Sequence, residues 1–219
     1  SFNHILPLWK PVSWTSFDVV KKVRSIMKIR KVGHAGTLDP FAEGILVVCT
    51  GNKTSEVEKI MNKKKEYSGV IFLGARTSTL DPEGSINEHR KYYRVSSKKL
   101  KETKDKFIGR ISQTPPKFSA LKHNGVPLYK YARKNIEINI PPRYVDVYDF
   151  NVEEIDKNKL KFKIKCGRGT YIRSIARDFA LELDTVGYLL ELKRTKIGNY
   201  HEDNSIKIEN IKKWLSTKI

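Results

Sequence analysis

Cysteine is nearly missing from this chain: two in 219 residues, Cys49 and Cys166, far apart and neither in a CxxC pair. A disulfide framework and a cysteine-built zinc site are thereby excluded, and two buried thiols in a reducing cytoplasm are expected. The five histidines, His4, His34, His89, His123 and His201, never take the HExxH spacing. Neither GxxxxGK[ST] nor GxGxxG occurs, so no metal and no nucleotide cofactor is expected. No apolar run approaches the ~20 residues of a membrane span. The first ten residues lack the basic start and long apolar stretch of a signal peptide. Acidic residues are also scarce. Asp plus Glu number 24 against 43 Lys plus Arg, a formal charge of +19. Hydrophobic residues still make up 39%, enough for a core. A folded chain this basic expects a polyanionic partner, nucleic acid first and an anionic membrane surface second. The plainer alternative is a protein that simply prefers lysine on its solvated faces.

Periodicity supplies the elements. Ile5 to Trp9 reads as a strand. Val19, Val20, Val23, Ile26 and Met27 recur at helical spacing, with Thr15 or Ser16 as cap. Strands are expected at Ile45–Cys49 and Glu66–Leu73. A lysine-rich helix is expected from Ser96 to Phe107, and a short one from Leu128 to Arg133. Leu160, Phe162, Ile164 and Cys166 alternate with Lys161, Lys163 and Lys165, a strand with one buried and one cationic face. Asp156–Asn158 turns into it from the preceding strand. A helix follows from Tyr171 to Leu183, a strand from Tyr188 to Ile197 and a last helix from Ile206 to Leu215. Strands outnumber helices and are often sequence neighbours, so the expected class is α+β with a mixed, largely antiparallel sheet. The chain reads as one domain over 1–219, with about 76–143 as an insertion packed on the sheet.

Three segments carry the chemistry. In GHAGTLDPFAEG, Gly33 to Gly44, three glycines and a proline fix a compact loop around His34 and Asp39, just after Arg30 and Lys31. A carboxylate in a cationic, backbone-rich loop stays ionised and can serve as a nucleophile. The bland readings are an Asp-Pro turn and a hydrogen-bonded histidine. In KKKEY, Lys63, Lys64 and Lys65 lead to Tyr67: lysines meet phosphate and a tyrosine ring stacks on a base. The alternative is an edge strand guarded by lysines with a core tyrosine. In CGRGTYIRSIARDF, Arg173 and Arg177 share a helix face near the helix start, where a phosphate or a protein carboxylate is welcome. The LDPEG turn at Glu83–Gly84 resembles part of a calcium loop but lacks the other acidic ligands.

Taken together these segments resemble the TruB family of tRNA pseudouridine synthases. GHAGTLDPFAEGIL matches the family's nucleophile loop, with Asp39 on its aspartate. KEY matches the tyrosine segment, with Tyr67 on the active-site tyrosine. GTYIRSIARD places Tyr171 and Arg173, and LKRTKIG places Leu192 on the pocket leucine. QTPPKFSALKHNGVPLYKYAR, Gln113 to Arg133, also follows the pattern. The likeness runs in order from about Ile5 to Tyr200. Phe41, Glu43 and Phe118 depart from the residues more often found there, and none is a catalytic group. Roughly 19 residues follow Tyr200, too few for a second core, so the resemblance is to the short bacterial form without a C-terminal PUA domain.

The resemblance implies a pseudouridine-synthase fold and isomerisation of the uridine at position 55 in the T loop of tRNA, without cofactor or guide RNA, by a cytoplasmic monomer. Asp39 would be the nucleophile, at ribose C1′ or base C6, or would assist a glycal route through Tyr67. Arg173 would pair with Asp39. Tyr67 would stack on the flipped base and take part in proton transfer. His34 would fill the space the base leaves, and Tyr171 and Leu192 would line the pocket. Lys31, Lys63, Lys64, Lys65 and Lys122 are candidate contacts to the RNA backbone, with the Lys161/Lys163/Lys165 face beside them. The rival readings are a non-catalytic RNA chaperone on the same fold and a basic binding module such as a ribosomal protein.

Overall fold

The computed structural model describes residues 2–218; Ser1 and Ile219 lie outside it. In chain order the elements are β1 (Ile5–Lys10), α1 (Ser16–Met27), β2 (Val32–His34), β3 (Glu43–Thr50), α2 (Val57–Met61), β4 (Lys65–Leu73), β5 (Ala75–Thr77), β6 (Ile86–His89), α3 (Ser97–Asp105), β7 (Gly109–Gln113), β8 (Lys122–His123), β9 (Val126–Pro127), α4 (Leu128–Arg133), β10 (Arg143–Asp156), β11 (Lys159–Cys166), α5 (Ile172–Glu182), β12 (Gly187–Ile197), β13 (Tyr200–His201), β14 (Ile206–Lys207) and α6 (Ile211–Ser216). The chain divides into two compact units, residues 1–68 with 192–219, and residues 69–191. The segment 76–143 falls wholly within the second unit.

In the first unit the strands run β14-β1-β3-β12, with β2 on β3 and β13 on β12. β1 is antiparallel to β3 from Ile5↔Cys49 to Lys10↔Gly44, whereas β12 joins β3 in parallel at Lys193↔Glu43 and Arg194↔Gly44. β3 is buried without interruption from Gly44 to Thr50. Its alternation sends Leu46 and Val48 into one apolar cluster and Ile45, Val47 and Cys49 into another. A strand covered on both faces must be apolar through its middle, as Ile45–Cys49 is. The first cluster contains Leu6 and Leu8 of β1 and Val19, Val20, Val23 and Met27 of α1. Helix α1 starts on a reciprocal cap: the Thr15 hydroxyl accepts from Asp18 N (2.9 Å), and Asp18 Oδ2 accepts from Thr15 N (2.9 Å). These two bonds satisfy N–H groups that the first helical turn leaves without partners.

The expected helix from Ile206 is not continuous. Ile206–Lys207 is a strand parallel to β1, residues Ile208–Asn210 form a 3-10 turn, and α6 begins only at Ile211. Ile206 and Ile208 are spaced two apart and both enter the first cluster, so packing against β1 overrides local helical preference.

In the second unit the order is β12-β4-β11-β10-β7. β10 and β11 form the expected hairpin, Val152↔Phe162 and Phe150↔Ile164 among its pairs. Its buried face holds Phe150 and Phe162. Phe150 meets Phe179 of α5 edge to face at 5.7 Å, and Phe107 lies 5.3 Å from Phe179. The solvated face is less cationic than its lysines suggest. Lys161, Lys163 and Lys165 stand directly opposite Glu153, Asn151 and Asp149, so cross-strand acids offset two of the three. The class is α+β with a mixed, mostly antiparallel sheet, as the sequence leads one to expect.

Candidate active site

In the first unit, the Gly33–Gly44 loop leaves β2 and enters β3. Ala35 N donates to Val47 O (2.9 Å), extending the β2–β3 pairing. Asp39 is half-buried. Its carbonyl accepts from Ala42 N (3.0 Å), which makes Asp39–Ala42 a turn with Pro40 second, where a fixed φ suits it. Ser16 holds Leu38 from both sides, accepting from Leu38 N (2.9 Å) and donating to Leu38 O (3.2 Å).

Two buried cations then take up the carbonyls of the loop. Lys10 ends β1, fully buried, and its ammonium donates to Pro11 O (2.8 Å), Trp14 O (2.6 Å) and Ala42 O (2.6 Å), with a longer approach to Pro40 O (3.4 Å). Arg194 on β12 is 2% exposed. Its Nε donates to Ile45 O (2.8 Å), Nη2 to Gly36 O (3.0 Å) and Nη1 to Thr37 O (3.3 Å). Charges buried this deeply are tolerated only when their donors are satisfied, and here backbone oxygens do it. Neither residue is among those expected from the sequence. Both follow buried leucines at period two, Leu6–Leu8–Lys10 and Leu192–Arg194, and that parity is the signal which finds them.

His34 is half-buried. Burial, and secondarily the positive charge of Arg194, hold its imidazole below the ordinary 6.5, while a hydrogen bond with the Gly36 backbone acts the other way. Its Nδ1 is buried with no hydrogen-bond partner among the described residues. An uncharged ring suits contact with a base rather than with a phosphate. Tyr67 on β4 and Leu192 on β12 are both buried, 9% and 8% exposed.

The second unit holds Tyr171 and Arg173. Tyr171 caps α5 at its start, and the side chain of Gln113 brackets it. Oε1 accepts from Tyr171 N (2.8 Å) and Nε2 donates to Tyr171 O (3.1 Å). Arg173, 6% exposed, donates to Thr79 O (3.1 Å) and Phe118 O (2.9 Å). Ser174 and Arg177 both donate to Thr114 O, at 2.8 and 2.9 Å. One helix thus ties down the 77–81 turn and the 113–118 segment, and the proline pair Pro115–Pro116 is part of what it ties. The LDPEG turn has its own order. Asp81 is 3% exposed, and its Oδ1 accepts from Thr79 Oγ (2.6 Å) and Glu83 N (2.9 Å). Among the described residues no cluster of His, Cys, Asp and Glu could hold a metal ion. A cleft of about 430 Å³ opens beside these segments, walled by Pro116, Phe118 and Ile140 and edged by Arg76, Lys117 and Arg177.

The lysines separate. Lys31, Lys64 and Lys122 are exposed and Lys63 is half-buried. Lys65 is buried and donates to the Met61 carbonyl. That inward bond sets Lys65 apart from the solvent-facing candidates, because β4 alternates and Lys65 shares the inward parity of Tyr67. No helix among the described residues is long and apolar enough to cross a membrane.

The family model described as TruB family pseudouridylate synthase, N-terminal domain, matches residues 24–172. The chain is 40% identical over 209 residues to tRNA pseudouridine synthase B of Clostridium tetani, covering 95% of this chain and 72% of that one. It is 38% identical over 213 residues to the protein of the same name from Flavobacterium johnsoniae, covering 94% and 93%. Among solved structures, a Cbf5-Nop10-Gar1 complex contains a chain that superposes with TM-score 0.75 at 27% identity, covering 100% of this chain and 57% of that one.

Proposed function

The chain belongs to the TruB family of pseudouridylate synthases, and from that premise we propose that it converts uridine to pseudouridine at position 55 in the T loop of tRNA. The reaction is an isomerisation. The bond from ribose C1′ to N1 of uracil breaks, the base turns, and C5 bonds to C1′; the proton leaving C5 balances the one gained at N1. We assign Asp39 as the nucleophile, Tyr67 to stacking and proton transfer, and Arg173 as the countercharge that the resemblance gives it. His34 is assigned to the space that the flipped base leaves, and Tyr171 and Leu192 to the pocket that receives it; such contacts offset the extrusion. The RNA backbone falls to Lys31, Lys63, Lys64 and Lys122. No guide RNA takes part, and the enzyme works in the cytoplasm.

The observation that carries this reading is the loop around Asp39: a carboxylate on a short turn whose neighbouring carbonyls are held by two buried cations. A plain RNA-binding module has no use for that arrangement, whereas a nucleophile needs a fixed position. The test is incubation with unmodified tRNA, followed by carbodiimide-stop mapping of pseudouridine, for the wild type and Asp39→Asn. The wild type is expected to modify one T-loop uridine and the variant none, with tRNA affinity changed by less than about tenfold, ~1.4 kcal/mol. Pseudouridine from a clean Asp39→Asn preparation would remove Asp39 from its role. Binding without modification by the wild type would favour the chaperone reading.

A further inference from the structure

The glycines of the Gly33–Gly44 loop have a partner that accounts for two of them. Gly36 has φ +109°, and a Cβ there would point toward Arg194 Nη1 at 3.8 Å. Gly44 has φ +128°, and a Cβ there would lie 2.2 Å from the Arg194 carbonyl oxygen. A side chain at 44 would collide with the Arg194 backbone, and one at 36 would abut its guanidinium. The positive φ values admit glycine most readily in any case. The guanidinium reaches Gly36 and Thr37 on the entering side of Asp39 and Ile45 on the leaving side. It therefore spans the loop at both ends and leaves the turn Asp39–Ala42 between them. The guanidinium presents its donors in a fixed planar fork spread over both ends of the loop, whereas an ammonium, which at Lys10 gathers its carbonyls around a single point, cannot reproduce that spread.

We propose that Arg194 is a positioning residue for the reaction, fixing the two ends of the nucleophile loop so that the Asp39 carboxylate is held where the reacting atom arrives. The inference rests on Asp39 being the nucleophile. Arg194 touches neither substrate nor carboxylate in this role; it acts through the backbone. The carbonyls it holds are three and two residues before Asp39 and six after. A small relaxation of either end therefore displaces the carboxylate, and displacements near 1 Å cost on the order of a hundredfold in rate.

The test compares wild type, Arg194→Lys, Arg194→Met and Asp39→Asn on unmodified tRNA, measuring Kd, KM and the single-turnover rate at saturating RNA. Assays run below each variant's unfolding midpoint. Arg194→Lys keeps the buried charge and loses the fork. It is expected to unfold cooperatively, to bind tRNA within about threefold of wild type, and to react about a hundredfold more slowly. Arg194→Met should be slower still, so that Lys restores part of the rate without moving KM. A role in stability alone predicts instead a lowered midpoint with the single-turnover rate intact, and a rate within threefold of wild type in either folded variant overturns the proposal. If Arg194→Met does not fold, Arg194→Lys carries the comparison. Loss of cooperative unfolding in both also counts against the proposal, because it makes Arg194 a core strut. If Asp39→Asn stays active, the nucleophile assignment falls whatever Arg194 does. If Asp39→Asn is inactive and Arg194→Lys reacts normally, only this inference falls.

Discussion

Arg194 and Gly44 lie side by side on two parallel strands, so close that a single methyl on Gly44 would come within 2.2 Å of the Arg194 carbonyl oxygen. That distance is shorter than any tolerated carbon–oxygen contact, and the obstacle is backbone, which cannot swing aside.

Gly44→Ala should therefore destabilise by more than strain alone. Gly125 also has positive φ, +77°, but open space where a Cβ would go. Alanine at Gly125 should cost roughly 1–2 kcal/mol, the ordinary left-handed penalty. At Gly44 the loss should exceed about 3 kcal/mol or abolish folding. Urea unfolding of the two variants side by side decides the matter, and equal losses would refute the steric account.

Tyr67→Phe keeps the ring and removes only the hydroxyl. With stacking as its sole role the variant would remain nearly as active as wild type. The expected outcome is a fall in single-turnover rate of at least about a hundredfold, in the range typical of lost proton transfer, with tRNA affinity changed little. A rate within a few-fold of wild type would confine Tyr67 to stacking.

His34 gives stability a pH dependence. Its folded-state value lies below the ordinary 6.5, so the unfolded chain takes up the proton first as pH falls. Stability is then fully present above about 6.5 and declines as pH drops toward the folded-state value. Replacing His34 by Gln removes this contribution. Between pH 7.5 and 5.5, wild type should lose more stability than His34→Gln, as read from urea midpoints at both values; parallel losses would mean that His34 is not held neutral.

The lysines divide by where their ammonium groups go. Lys63→Ala with Lys64→Ala should flatten the slope of log affinity against log salt by roughly 0.7–0.9 for each phosphate left without its lysine, and the chemical step should not change. Lys65→Ala should leave that slope alone and lower stability instead, because its ammonium is bonded to Met61. A slope change from Lys65 equal to that from Lys64 would contradict this division.

Much of this was legible in the sequence. Helix α1, the β10–β11 hairpin and the Gly33–Gly44 loop follow from apolar spacing, a capping threonine and three glycines. Other features were hidden because their partners are backbone atoms distant in sequence. Lys10 bonds the carbonyl of Ala42, and Arg194 that of Gly36; strand parity marks both side chains as core-facing, but no side-chain pattern announces the carbonyls they meet. A cation at a core-facing strand position looks, in composition, like one more contribution to a basic surface. Lys161 and Lys165 mislead in the opposite sense. Lys161 is exposed and Lys165 half-buried, yet Glu153 and Asp149 face them across the hairpin.

Strand β3 has one more consequence. It runs into the interior straight from the loop, seven consecutive residues without solvent and apolar clusters on both faces. Amides there should exchange with deuterium only through opening of the whole unit. With Asp39 as the proposed nucleophile, a carboxylate four residues ahead of such a strand travels little, and the conformational work of meeting it would belong to the RNA. Selection among uridines would then be made by the nucleic acid's own mechanics, favouring the base that leaves its stack at least expense.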